Sequence, residues 1–517
     1  MKIVNKFLIF SLVVFISGCA VSKKSSVTNK PVLQAAHFER YVDYFNKMED
    51  EKIVQAIPNA KSWEWMKANV PLFECPQQSM EQMYYFRWWT LRKHIKQTPQ
   101  GYAFTEFLVP RTYADKYNLI SSALGHHIYE ARWLHDTSYI NDDIHIWFRG
   151  NEGKSMKKLR GFSSWATDAI YNSYLVNADT SFVVDMLPDL EADYAAWEAD
   201  KRLSNGLFWQ FDVRDGMEET ISGGRKIKNE RPSINSYMFG NAKALAQMEK
   251  LAGKKETAAK YFTDADSIKT LVQQNLWNTK DNFFEAVRPD GQSAGVREAI
   301  GFLPWYFNLP DTGYQSAWKQ VTEDSGFLAP YGLTTAERRS PLFRSHGCCK
   351  CEWDGAIWPF ATSQTMTAMA NVLNNYQQTV VTPRDYFHLL ELYVQSQNFH
   401  EKPYIGEYLD EKTGVWLKGE EERGRFYNHS TFCDLVITGL VGLRPRADNI
   451  IEVNPLVPQD QWNWFCLDNV IYHKKNVTII WDKDGTKYKR GSGLSVWVNG
   501  KKVASSAKLE KLTGSLL

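Results

Sequence analysis

The sequence has almost no net charge: 61 lysines and arginines face 59 aspartates and glutamates, for a formal +2. That balance provides no broad field to attract nucleic acid, and no nucleic-acid partner is expected. Long apolar runs are scarce as well. The run Phe7 to Ile16 is shorter than the roughly 20 residues that cross a bilayer, and 44% hydrophobic with 23% charged residues is ordinary globular composition. A multi-span membrane protein and a disordered chain are both excluded. Cysteine is sparse, with seven residues in 517. Beyond Cys19 they are Cys75, Cys348, Cys349, Cys351, Cys433 and Cys466, too few for a disulfide framework. Cys348-Cys349-Lys350-Cys351 lacks the second spaced pair of a tetrahedral zinc site, so free thiols or one disulfide are expected there and no metal. The motifs of several chemistries are also missing. Phe148 stands where a phosphate loop ending in Gly153-Lys154-Ser155 needs its first glycine, and His126, His127 and Glu130 lack the second histidine of a metalloprotease helix. No serine-nucleophile elbow occurs. No cofactor is expected, and calcium is left open.

Aromatic residues, by contrast, are abundant, at 14% with 19 tryptophans. A pyranose presents a face of C–H bonds that stacks on such rings, so a sugar-binding cleft is one use for them. At about 150 residues per domain the length corresponds to about three domains, or to one large barrel with an appendage. The amino terminus reads as an address. Lys2 and Lys6 precede the apolar run, and Ile16-Ser17-Gly18-Cys19 resembles a bacterial lipobox. Residues 1–18 are then a signal peptide, Cys19 is the lipidated residue, and the polar stretch 19–35 is a tether. The expected location is the bacterial cell envelope, periplasmic or surface-exposed, with membrane contact through the lipid anchor.

From residue 36 to 445 the pattern is helical. Ile234, Met238, Ala242, Leu245 and Met248 recur at three- and four-residue steps between Ser233 and Leu251, and Thr382-Pro383-Arg384-Asp385 opens another helix with a cap and a first-position proline. Further helices are expected over residues 182–201, 258–276, 357–373 and 430–440, joined by long loops of the kind that carry function. Residues 446–517 change texture to short β-branched and aromatic runs split by Asp-Gly and Asn-Gly turns, and form a small β domain.

Three loops concentrate carboxylates and rings among glycines: Phe208 to Gly224, Glu352 to Pro359 and Tyr404 to Gly414. Glycosidic cleavage needs a protonated carboxyl to assist the leaving oxygen and an ionised one to activate water, and the first and third loops can supply that pair. The segments Gly216-Met217-Glu218, Trp353-Asp354-Gly355-Ala356-Ile357-Trp358-Pro359, and Glu407-Tyr408 ahead of Thr413-Gly414 resemble the blocks of inverting (α/α)6-barrel glycosidases. That group includes processing α-glucosidases, trehalases and mannosylglycerate hydrolases. The likeness covers residues 36–458 and is strongest to a bacterial, often lipoprotein-borne, mannosylglycerate-hydrolase-like subgroup.

The resemblance implies an all-α (α/α)6 toroid with a small C-terminal β domain. It implies a glycoside hydrolase acting by inversion on an α-linked bond of an oligosaccharide or glycan, with Glu218 as general acid and Glu407 as general base. Better-known relatives carry Asp at the acid position, and here Asp215 competes with Glu218 for that role. Arg87, Trp88, Arg132, Trp209, Trp353, Asp354, Trp358 and Tyr408 are candidate sugar contacts. Glu106 is a further candidate by position; Arg231, Asn235, Tyr237 and Asn428-His429-Ser430 are possible contributors to the cleft. His126 and His127 are expected to be hydrogen-bonded structural residues. Two other readings stay open: a non-catalytic glycan-capture lipoprotein, which needs rings but no carboxylate pair, and a polysaccharide lyase.

Overall fold

A computed structural model describes residues 31–346 and 351–517. The signal peptide, Cys19, most of the tether, and Cys348 and Cys349 lie outside the described residues. The chain is mainly helical, with short two-stranded ladders between helices and a carboxy-terminal β unit.

The periodic segments form the helices they predict, Pro232–Leu251 and Thr180–Lys201 among them, and Lys255–Asn275 packs back on the first as a hairpin. Pro383–Ser396 opens with a capping box in which the Thr382 and Asp385 side chains each take the other's backbone N–H. Six segments follow one another in packing: Leu124–Ala131 lies on Ala166–Asn177, which lies on Pro232–Leu251, then Leu303–Tyr306, then Pro359–Asn375, then the π-helical turn Leu435–Leu440. Buried Glu130 connects the last of these to the first. Its carboxylate accepts N–H groups from Phe432, Cys433 and Asp434 at 3.0, 2.8 and 2.8 Å, donors that a helix start otherwise leaves unpaired. The helix expected from residue 430 starts at Cys433, among these three donors, and continues as the π turn.

The rings mostly fill this interior. Trp88, Trp89, Trp133, Trp147, Trp165, Trp305 and Trp318 are fully buried, so the high aromatic content chiefly serves packing.

In the β unit an antiparallel five-stranded sheet runs in the order Leu72–Glu74, Trp464–Tyr472, Lys475–Asp482, Gly493–Val498, Lys501–Ser506. Asn499 and Gly500, at φ 48° and 77°, form the two-residue turn that pairs Val498 with Lys501. The edge strand comes from the amino-terminal region. Val32 and Leu33 also donate to Asp468 at 2.6 and 2.8 Å, so the end of the stretch read as a tether is docked on the sheet, where a buried Leu33 and a carboxylate acceptor hold it. Of the cysteines, Cys75, Cys351, Cys433 and Cys466 are free thiols. No helix among the described residues is long and apolar enough to cross a membrane.

Candidate active site

A cavity of about 450 Å³ opens at the amino-terminal ends of the packed helices. Glu106, Glu218 and Glu407 line it together with Trp358, Phe360, Tyr427, His429 and a set of arginines. The local backbone explains how two distant loops deliver their acids to the same space.

Glu218 follows a four-residue helix, Asp212–Asp215, that ends at Gly216 in the left-handed conformation, φ 74°. Glycine adopts this geometry without a Cβ penalty, and here the turn reverses the chain so that Met217 is buried and Glu218 faces the cavity. The Glu218 carbonyl then accepts the Trp353 N–H at 3.4 Å. Trp353 stacks on Trp358 with centroids 4.6 Å apart, and Trp358 stacks on Tyr408 at 4.6 Å and 14°. Ile357 and Leu409 are bridged through their backbones beside this stack. A ladder of three rings thus ties the acid loop to the loop bearing Glu407. Of the three, only Trp358 reaches the cavity wall.

The electrostatics of the carboxyls differ. Burial, reinforced by the nearby Glu407 charge, pushes Glu218 up to about 7. Glu407 lies 3.4 Å from Lys418 Nζ and 3.2 Å from an Arg423 guanidinium nitrogen, cations that pair with its carboxylate. Glu106 accepts the Tyr427 hydroxyl and, at 2.7 Å, the Ser122 hydroxyl, while burial and the Glu407 and Glu218 charges raise it to about 7. Cys351 lines the same wall, with its thiol raised to about 11 by burial. Arg214 and Arg225 sit at the exposed rim, the latter 2.8 Å from Glu219.

The other residues singled out in the sequence lie elsewhere. Asp215 is fully buried off the cavity, 2.6 Å from Arg231 Nε and hydrogen-bonded by the Ser233 hydroxyl. Asp215→Ala would leave the Arg231 guanidinium buried without that carboxylate. The expected cost is about 3–5 kcal/mol, measured as a lower urea midpoint. Arg87 is spent on Tyr393, Gln397 and Ser430, and Trp88 is core. Arg132 pairs with Asp434 at 2.7 Å and belongs to a different cavity. Trp209 packs under the Lys201 and Lys228 ammonium groups, 3.9 and 4.4 Å from its ring. Asp354 accepts the His346 N–H at 2.9 Å. Asn235 holds the Phe208 backbone, and Tyr237 accepts from Gln364.

His127 donates to the Asn428 carbonyl at 2.7 Å, and burial lowers it to about 4. His126 departs from expectation: it makes no hydrogen bond among the described residues and is clamped edge-on by Trp165 and Phe360. Tyr427, Arg423, Ser122 and Phe360 were not foreseen. Tyr427 directly precedes Asn428-His429-Ser430, and Arg423 lies in the charge-dense run Glu420 to Arg425, signals by which those two could have been found.

Comparison with known families bears on what this arrangement serves. The profile described as "Mannosylglycerate hydrolase MGH1-like glycoside hydrolase domain" matches residues 116–430. The chain belongs to this glycoside hydrolase family. The match to the MGH1-like domain includes Glu218 and Glu407 and stops just short of the π-helical turn. A second profile, the C-terminal domain of glycosyl hydrolase family 65, matches residues 443–505, the greater part of the β unit. A solved structure named "Sialidase" is 60% identical with TM-score 0.92 over 93% of this chain, which spans 45% of that longer protein. The GH63 mannosylglycerate hydrolase of Thermus thermophilus, solved with glucose, is 13% identical with TM-score 0.51, covering 69% of this MGH1-like chain and 99% of its own. A GH78 family rhamnosidase of Bacillus sp. GL1 is 9% identical with TM-score 0.57, over 80% and 40% of the two chains. At such identities these last two speak to the fold alone.

Proposed function

We propose that the protein hydrolyses an α-linked glycosidic bond by single displacement, with Glu218 protonating the leaving oxygen and Glu407 deprotonating the attacking water. The observation that carries this reading is the convergence of two unlike carboxyls on one cavity: one kept protonated near neutrality by burial, the other paired with cations. The six helices packed in succession, with Glu130 joining the last to the first, support an (α/α)6 toroid as the scaffold. Its loops at the helix amino termini would frame the sugar. Asp215, spent on Arg231, is the weaker candidate for the acid. A glycan-capture role needs an open ring platform, whereas here most large rings are interior and the acids share a concave site.

A second reading concerns the sugar. The relative named "Sialidase" and the rim cation Arg214, which forms no ion pair among the described residues and donates only to the Gly161 carbonyl, favour a substrate whose terminal sugar carries a carboxylate. Proton NMR of the first product released from a sialylated and from a neutral α-linked oligosaccharide tests both points. The inverted anomer is expected first, and from the sialylated substrate if the second reading holds. Early appearance of the retained anomer overturns single displacement.

A further inference from the structure

A second cavity, of about 340 Å³, lies toward the other end of the packed helices, where they meet the β unit. The catalytic acids enter at the amino-terminal ends of these helices. This second wall is built from their later turns: Arg132 just past Leu124–Ala131, Asn172 in Ala166–Asn177, Lys243 and Gln247 in Pro232–Leu251, and Tyr306 closing Leu303–Tyr306. Arg444 enters from the β side. The volume falls in the range of about 300–1,000 Å³ typical of small-molecule sites.

The charges on this wall do not balance locally. Arg132 is matched by Asp434 at 2.7 Å, and Arg446 by Glu452 at 2.7 Å. Asp168 takes the Tyr129 hydroxyl at 2.8 Å and the Asn172 amide at 3.1 Å. Lys243 faces the Asp168 charge, so four cations meet three carboxylates on this wall and one positive charge is left over. Half-buried Arg444 donates only to neutral oxygens, the Thr438 carbonyl at 3.3 Å and Asn371 Oδ1 at 2.6 Å. Lys243 has its Nζ 5.7 Å from the centre of the Phe239 ring and forms no ion pair among the described residues. Helix carboxyl ends attract cations, which accounts in part for Arg132 and Arg444. It does not account for Lys243, two turns before its helix ends at Leu251. Arg444 feels the Glu452 and Asp434 carboxylates only through space and forms no ion pair with either among the described residues, so an anion supplied from outside would be favoured beside it. Amides at Asn172 and Gln247 and the rings of Tyr129 and Tyr306 surround the same space, a combination suited to hydroxyls and to a pyranose face.

We propose that this cavity binds a small carboxylated monosaccharide, its carboxylate meeting Lys243 and Arg444 and its hydroxyls meeting the amide groups. The site is separate from the catalytic cavity and does not depend on the catalytic reading. Isothermal titration of the full chain with sodium glucuronate, with glucose and with inorganic phosphate tests it. Glucuronate should bind more tightly than either glucose or phosphate. Lys243→Glu, a change at an exposed position, should weaken glucuronate at least tenfold and leave kcat/KM of hydrolysis unchanged. Arg444→Gln should act in the same direction. An unchanged glucuronate isotherm in Lys243→Glu, or no binding up to millimolar concentration, overturns the site. Phosphate binding as tightly as glucuronate overturns the assignment to a sugar acid.

Discussion

Glu407→Gln is expected to lower kcat by about 10²–10⁴-fold, the usual contribution of a positioned base, with substrate affinity retained. Glutamine keeps the shape of the side chain and can still hydrogen-bond a water, but it cannot remove the proton as oxygen attacks carbon. Because Lys418 and Arg423 flank the position, the amide also leaves two cations without their shared counter-charge. Azide added to this variant should restore turnover, since a small anion in the water's place attacks without needing a base, and the product should be the inverted glycosyl azide. Wild-type turnover in Glu407→Gln would remove the base assignment.

Glu218→Gln should show a loss of about 10²–10⁴-fold on a sugar leaving group and far less on an aryl leaving group that departs without protonation. That contrast separates a proton donor from a residue that merely shapes the pocket. The pH dependence has a definite sign. Burial raises the Glu218 carboxyl to about 7, so the protonated form that catalysis needs is full at acidic pH and is lost as pH rises through about 7. Wild-type kcat/KM should therefore fall on the alkaline side near that value. In Glu218→Gln this limb should vanish from the residual activity. Glu106, raised to about 7 as well, lies in the same cavity, and a limb that persists in Glu218→Gln would transfer the acid role to it.

A ladder of rings stands behind both acids. Trp353 and Tyr408 were read as sugar contacts, and their types and positions do point to the site. Their task in the fold is different: they sandwich Trp358 and hold together the two loops that carry Glu218 and Glu407. Arg87 and Arg132 show the same divergence. A guanidinium among rings must find a partner, and both found it inside the protein, on Ser430 and on Asp434.

Some of this molecule was determined by the sequence alone. The apolar spacing in Pro232–Leu251, the box at Thr382 and Asp385, and the turn at Asn499-Gly500 are decided over a few residues, where backbone geometry and neighbouring side chains leave one favourable answer. The three acidic, ring-bearing loops were recognisable for the same reason, since their composition is local. Which acid faces the cavity was decided only by tertiary structure. Asp215 and Glu218 are three residues apart and chemically alike, and the turn at Gly216 sends one to Arg231 in the interior and the other to the cavity. Tyr427, Ser122 and Arg423 joined the site in the same way, through contacts with segments far off in the chain. A side chain's direction at a loop follows from what packs behind it, and no short stretch of sequence carries that information.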